Sequence, residues 1–162
     1  MRNMKILVLS DSHGKNEGMW QAIRQEEPLD WILHLGDIEG CEQLLQERAA
    51  CAVEIVKGNV DFSSQNSLEK VLTIAGQSIF LCHGHRYGVE YSRKRLALEA
   101  KQKGCTIALY GHTHRPLQEE VEGVKVLNPG SISYPRQEDG RPSYLVMTLE
   151  EGKEPEMQIR YR

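Results

Sequence analysis

The sequence has no surplus of positive charge. Lysine and arginine number 20 against 23 aspartates and glutamates, for a formal net charge of -3. That removes the electrostatic footprint of a protein that binds extended nucleic acid. No apolar run approaches the length needed to cross a membrane. Met1-Arg2-Asn3-Met4-Lys5 leads straight into a strand-like segment, without the apolar core or cleavage site of a signal peptide. The expectation is a cytoplasmic protein with no membrane partner. Cysteine is sparse: Cys41, Cys51, Cys82 and Cys105 form no C-x-x-C pair and have mostly apolar neighbours. They read as reduced thiols and argue against cysteine-ligated zinc. There is no internal repeat, linker or low-complexity segment. What remains is 162 residues, 40% hydrophobic and 27% charged, which suits one domain over residues 1–162.

The first third alternates strand and helix. Residues 5–10 form a continuous β-prone apolar run, as expected of a strand buried on both faces. Residues 16–26 read as a helix capped by Asn16 and followed by Pro28. Strands are expected at 31–35 and 52–56, with a short helix at 41–48 between them. Residues 68–74 and 77–82 alternate around Ala75-Gly76 and predict a hairpin. A helix over 92–103, capped by Ser92 and closed by Gly104, precedes a strand at 106–110. The last third reads as hairpins around Glu122-Gly123 and Glu151-Gly152.

One event recurs along this chain. A strand ends in a metal-ligand side chain beside a glycine at Asp11/His13, Asp37, Asn59, His83 and His112/His114. Of six histidines, five (His13, His83, His85, His112 and His114) lie in these strand-end loops. Functional groups of open α/β sheets gather beyond the carboxyl ends of strands. Asp11/His13 and His112/His114 are spaced i, i+2, which in extended backbone points both side chains to one face. Two such imidazoles reach one ion or two adjacent ones. Counted together, two carboxylates, four imidazoles and the Asn59 amide are too many for one tetrahedral ion. They suit two ions roughly 3.5–4 Å apart that share a carboxylate. Nitrogen and oxygen donors without sulfur fit manganese, iron, zinc, cobalt or nickel better than calcium or magnesium alone. Ordinary turn chemistry is the plain alternative for each residue singly, but it does not account for the joint pattern.

Asp11-Ser12-His13, Gly36-Asp37, Gly58-Asn59-Val60-Asp61, His83-Gly84-His85 and Gly111-His112-Thr113-His114 resemble, in order, the signature blocks of the calcineurin-like metallophosphoesterases. The short length, Asp11-Ser12-His13-Gly14 and Asn128-Pro129-Gly130-Ser131 look most like the small YfcE-type phosphodiesterase branch. The resemblance covers residues 5–131. It implies an α/β fold in four layers: a two-sheet β-sandwich flanked by α-helices. It implies two divalent metal ions, manganese first, with iron, zinc, cobalt, nickel or magnesium as alternatives. By the family pattern Asp37 bridges the ions. Asp11, His13 and His114 complete one shell; Asn59, His83 and His112 complete the other. The implied activity is hydrolysis of a small phosphodiester by a hydroxide shared between the metals. Relatives are often homodimers or larger.

One position departs from the family. Larger members carry a histidine after the asparagine, thought to protonate the leaving group; here it is Val60, which has no proton to give. His85, one strand step from His83, is the best substitute acid, so Asp37 and His85 are the candidate catalytic residues. His34 reads as structural, and Asp61 as a loop cap first, with orienting a ligand as the alternative. Asn128 is a candidate partner for a ligand imidazole, Arg115 for a phosphate, and Tyr87 and Tyr91 for a stacked ring. Two other readings stay open. One is a scaffold with little activity, like the retromer subunit of this fold. The other is a phosphomonoesterase or nuclease of the same superfamily.

Overall fold

The computed structural model describes residues 2–162. In chain order the elements are β1 (Met4–Leu9), α1 (Glu17–Glu26), β2 (Trp31–His34), α2 (Glu42–Arg48) and β3 (Ala52–Ile55), then β4 (Glu69–Ile74), β5 (Gln77–Cys82), α3 (Lys94–Gln102) and β6 (Ile107–Leu109), and finally β7 (Leu117–Val121), β8 (Val124–Asn128), β9 (Ser143–Leu149) and β10 (Glu156–Tyr161). They form two five-stranded sheets, ordered β10-β9-β1-β2-β3 and β4-β5-β6-β8-β7. Within the first sheet β1, β2 and β3 run parallel, and β9 and β10 add antiparallel. Within the second, β5, β6 and β8 run parallel between the antiparallel edges β4 and β7. The expected α/β architecture of two stacked sheets flanked by helices is what forms.

The layers follow from alternation along the strands. Ile6 and Val8 of β1 face the second sheet and meet Ile79, Leu81, Ile107 and Leu109 there. Leu7 and Leu9 point the other way, against Met19, Ala22 and Ile23 of α1 and Leu45 of α2. All four β1 side chains are fully buried, each contributing roughly 1.5–3 kcal/mol relative to exposure. Ala108 of β6 turns outward to meet Leu96, Ala97 and Ala100 of α3. The strands that deliver Asp11 and His112 are therefore clamped on both faces. Beyond the carboxyl ends of β1, β2, β3, β5 and β6, five loops open toward one another.

Two predicted caps depart from expectation. Asn16 stands at the N-terminal boundary of α1, but its side chain makes no capping bond; its amide donates to Cys41 Sγ at 2.9 Å instead. The third helix starts at Lys94, two residues later than expected. Ser92 Oγ still accepts from the Lys94 amide, at 3.2 Å. The Asn16 side chain serves a tertiary contact that local propensity does not register. No helix among the described residues is long and apolar enough to cross a membrane.

Candidate metal centre

The backbone at the strand ends is not extended. Asp11, His13, Asp37, Glu39, His112 and His114 all have φ between 49° and 69°. Non-glycine residues adopt this left-handed region at a cost and chiefly where the surroundings enforce it. Only Ala75 and Glu122, both in hairpin turns, share it among non-glycine residues described. His112 and His114 therefore do not share one face of an extended strand, contrary to what their spacing predicts. The chain turns tightly there, with the Thr113 amide donating to the Gly111 carbonyl at 2.8 Å, and the two imidazoles diverge.

His114 joins the first loop. Its Nε2 lies 3.1 Å from His13 Nε2 and 3.2 Å from Asp11 Oδ1. His112 joins a second group: its Nδ1 is 3.2 Å from Asn59 Oδ1 and 3.3 Å from His83 Nε2. His83 Nε2 is in turn 3.1 Å from Asp37 Oδ2. That carboxylate oxygen also lies 3.7 Å from His13 Nε2, so Asp37 stands between the groups. Seven inward atoms thus come together, from the seven residues that the sequence suggested.

Each imidazole is aimed by what holds its other nitrogen. His83 Nδ1 donates to the Leu35 carbonyl at 2.7 Å, and His114 Nδ1 to the Tyr134 carbonyl at 2.6 Å. His13 Nδ1 pairs with the Glu39 carboxylate at 2.8 Å, and His112 Nε2 with Glu90 at 2.6 Å. A proton fixed on the outer nitrogen leaves the inner lone pair directed into the centre. Glu39, Glu90 and the Tyr134 carbonyl were not found from sequence. The carboxylates are anchored likewise. Asp11 Oδ2 accepts from Ser10 Oγ and from the His112 amide. Asp37 Oδ1 accepts from the Val60 amide at 3.0 Å.

The loops pack too tightly for a side chain at two glycines. A Cβ on Gly58 would lie 2.1 Å from Asp37 Oδ1, and one on Gly111 2.0 Å from Ser10 Oγ. Asp61 does more than cap its own loop. Its carboxylate accepts from the amides of Asp37, Glu39 and Gly58 at 2.7–2.8 Å, locking the Asp37 turn. His34 is structural. The Gly36 amide donates to its Nδ1, so its Nε2 donates to Ser12 Oγ at 3.0 Å. Burial pushes its pKa down to about 4 and keeps it neutral. Asn128 does not touch an imidazole; it donates to the Gly111 carbonyl and to Thr113 Oγ1. Tyr87 is half-buried, its hydroxyl committed to Glu69 at 2.6 Å. Tyr91 and Arg115 are exposed. His85 lies 5.5 Å from His83, ring to ring, and its buried Nδ1 has no partner.

The donor set fits a pair of cations. Asp11 Oδ1 is buried without a hydrogen-bond partner. Inward nitrogens face each other at 3.1 and 3.3 Å, close enough that a proton or a cation must sit between each pair. Donors about 2.1 Å from one ion stand roughly 3.0–3.4 Å apart. Charge points the same way. Burial opposes ionisation of Asp11, yet the His114 and His13 imidazoles, 3.2 and 3.6 Å from its Oδ1, hold its carboxyl well below the usual carboxylate range. The Asp11 carboxylate 3.6 Å away, reinforced by Glu39, raises His13 to about 9.

Residues 4–152 match the family model of the calcineurin-like phosphoesterase superfamily domain, and the chain belongs to that family. It is 35% identical over 150 residues to the probable metallophosphoesterase YsnB of Bacillus subtilis, covering 91% of this chain and 85% of that one. The phosphodiesterase YfcE of Escherichia coli is 29% identical over 158 residues, with 82% of each chain covered. Among solved structures, a predicted phosphoesterase of Streptococcus pneumoniae superposes with a TM-score of 0.80 at 25% identity. That superposition covers 100% of this chain and 99% of the other.

Proposed function

We propose that this protein hydrolyses a small phosphodiester with two divalent first-row metal ions, manganese first among them. Asp11, His13 and His114 would hold one ion and Asn59, His83 and His112 the other, with Asp37 shared. The observation that carries this reading is the convergence of seven inward donors in two groups around Asp37. When bound, such a pair supplies Lewis acidity toward phosphoryl oxygens and lowers the pKa of water in the site.

The chain's own residues do the rest. Leu35, Tyr134, Glu39 and Glu90 fix the imidazole orientations, so the donors are preorganised before substrate arrives. Val60 gives only its backbone amide, to Asp37, and has no side-chain proton to donate. His85 stands beside His83 and His112, at ring distances of 5.5 and 6.1 Å, and its ring is not tied to an outer acceptor. It is placed to protonate a leaving alkoxide; an aryloxide needs no such help. The absence of a basic surplus favours a small ester over extended nucleic acid.

The test is hydrolysis of bis(p-nitrophenyl) phosphate by the metal-stripped protein, reloaded with each first-row divalent ion. Wild type should turn over with at least one ion, and Asp37→Asn should lose nearly all of that rate. Inactivity with every ion would defeat the reading.

A further inference from the structure

The two sides of the centre differ in charge. Next to Asp37, a cavity of about 520 Å³ is lined by Glu39, Glu42, Asp61 and Phe62 and by no lysine or arginine. Next to His13 and His114, a cavity of about 700 Å³ is lined by Ser133, Tyr134, Pro135 and Arg136 as well as Glu39. Glu39 is already committed to His13. On this second side the chain offers cations. The Lys15 ammonium lies 5.7 Å from the centre of the Tyr134 ring. Neither Lys15 nor the Arg136 guanidinium has an acidic partner within ion-pair distance among the described residues. Arg136 lines this cavity and Lys15 lies over its Tyr134 ring; two unpaired cations on one side, in a chain of net charge -3, mark where an anion is favoured.

This wall is also rigid. The Tyr134 amide donates to Ser131 Oγ at 2.7 Å, and its carbonyl holds His114 at 2.6 Å. The Arg136 amide donates to the His114 carbonyl at 3.0 Å. Ser133 Oγ donates to the Lys15 carbonyl at 2.6 Å, tying the two loops together. Yet the Tyr134 side chain is 45% exposed and meets the His13 ring edge-on at 5.7 Å. An aromatic ring thus projects beside the centre from a hydrogen-bonded loop, with the Lys15 ammonium over it and part of its surface open to solvent. Such a face binds planar rings by stacking.

We propose that this wall is the subsite for one ester arm of the substrate, and that the arm is nucleotide-like: a planar base carrying a second phosphate. The base lies against Tyr134, and Lys15 and Arg136 take the second phosphate. The acidic cavity on the Asp37 side receives the smaller, uncharged arm. The proposal rests on the phosphodiesterase reading, since it assigns the substrate of that centre.

Equilibrium binding to the metal-loaded protein tests it without turnover. The probes are inorganic phosphate, adenosine 5′-monophosphate and adenosine 3′,5′-bisphosphate, measured by isothermal titration. Wild type should bind the monophosphate at least about fivefold tighter than phosphate, the scale of one base–aromatic stack. It should bind the bisphosphate about tenfold tighter again, through two charge-assisted contacts. The pair of substitutions Lys15→Gln and Arg136→Gln should erase the second gain and leave phosphate affinity in place. Tyr134→Leu should erase the first gain, and Tyr134→Phe should restore it. If phosphate binds but the three probes bind alike, or the gains survive these substitutions, the subsite is refuted and the hydrolytic centre stands. If phosphate itself does not bind the metal-loaded protein, both fall.

Discussion

Two kinds of imidazole meet in this centre. His83 and His114 are buried and are aimed by main-chain carbonyls, of Leu35 and Tyr134. His13 and His112 have side chains 21% and 23% exposed and are aimed by the carboxylates of Glu39 and Glu90. Each proposed ion would receive one of each kind. A main-chain acceptor survives any substitution of its side chain, so the buried half belongs to the fold. A carboxylate acceptor can be removed by one substitution, so the exposed half belongs to the sequence. His85 makes a third case: its Nδ1 has no acceptor at all, which suits a proton donor better than a ligand.

A large effect follows from that third case. His85→Asn should slow an alkyl phosphodiester roughly 100-fold, within the range of general acid catalysis. A bis-aryl ester should slow only a few-fold, measured as kcat at saturating metal. Equal losses on both esters would remove His85 from the proton-donor role.

A carboxylate with a purely structural job sharpens the contrast. Glu26 is 1% exposed and accepts from Tyr144 Oη at 2.7 Å and from Arg160 Nη1 at 2.6 Å. Burial works against its ionisation, but the bonds from Tyr144, Arg160 and Lys5 hold its pKa below the ordinary glutamate value. A carboxyl depressed on folding stabilises the fold above its unfolded pKa, and that stability is lost as pH falls through the folded pKa. Glu26→Gln should therefore cost roughly 2 kcal/mol at pH 7. The gap from wild type should shrink in acid, below the ordinary glutamate range. Denaturant melts in chelator at both pH values read this directly, and metal affinity should not move.

The smaller effect breaks the comparison itself. Glu39→Gln and Glu90→Gln should each weaken metal binding by about tenfold, the lower end for groups that orient a ligand, because both carboxylates are 40% exposed. They should weaken different ions, Glu39 that of His13 and Glu90 that of His112. A calorimetric titration resolves the two. Weakening of the same ion by both would show that exposed and buried partners are not divided between the ions as drawn.

Much of this was legible in the sequence, for a physical reason. A buried parallel strand is an apolar run, and its loop must begin where the run stops, so Asp11, Asp37, Asn59, His83 and His112 announce themselves by position. The strand-and-helix alternation of the first third gave the parallel β1-β2-β3 arrangement in the same way. What was hidden depends on contacts distant in sequence. Glu39 is 26 residues from His13, and a loop glutamate carries no local mark of its partner. The left-handed turns at His112 and His114 were equally invisible, because neither residue is glycine. For Asp61 a loop cap and a ligand-orienting role could not be told apart, since the amides it gathers from Asp37 and Glu39 lie on another loop.

The central claim is that the donors divide between two ions at Asp37. Titration of manganese into the metal-stripped protein, followed by calorimetry, tests it most directly. The account predicts two binding events per chain in wild type. His114→Gln should abolish one event and spare the other, and His112→Gln should do the reverse. A single event per chain, or the same loss from both substitutions, would contradict it.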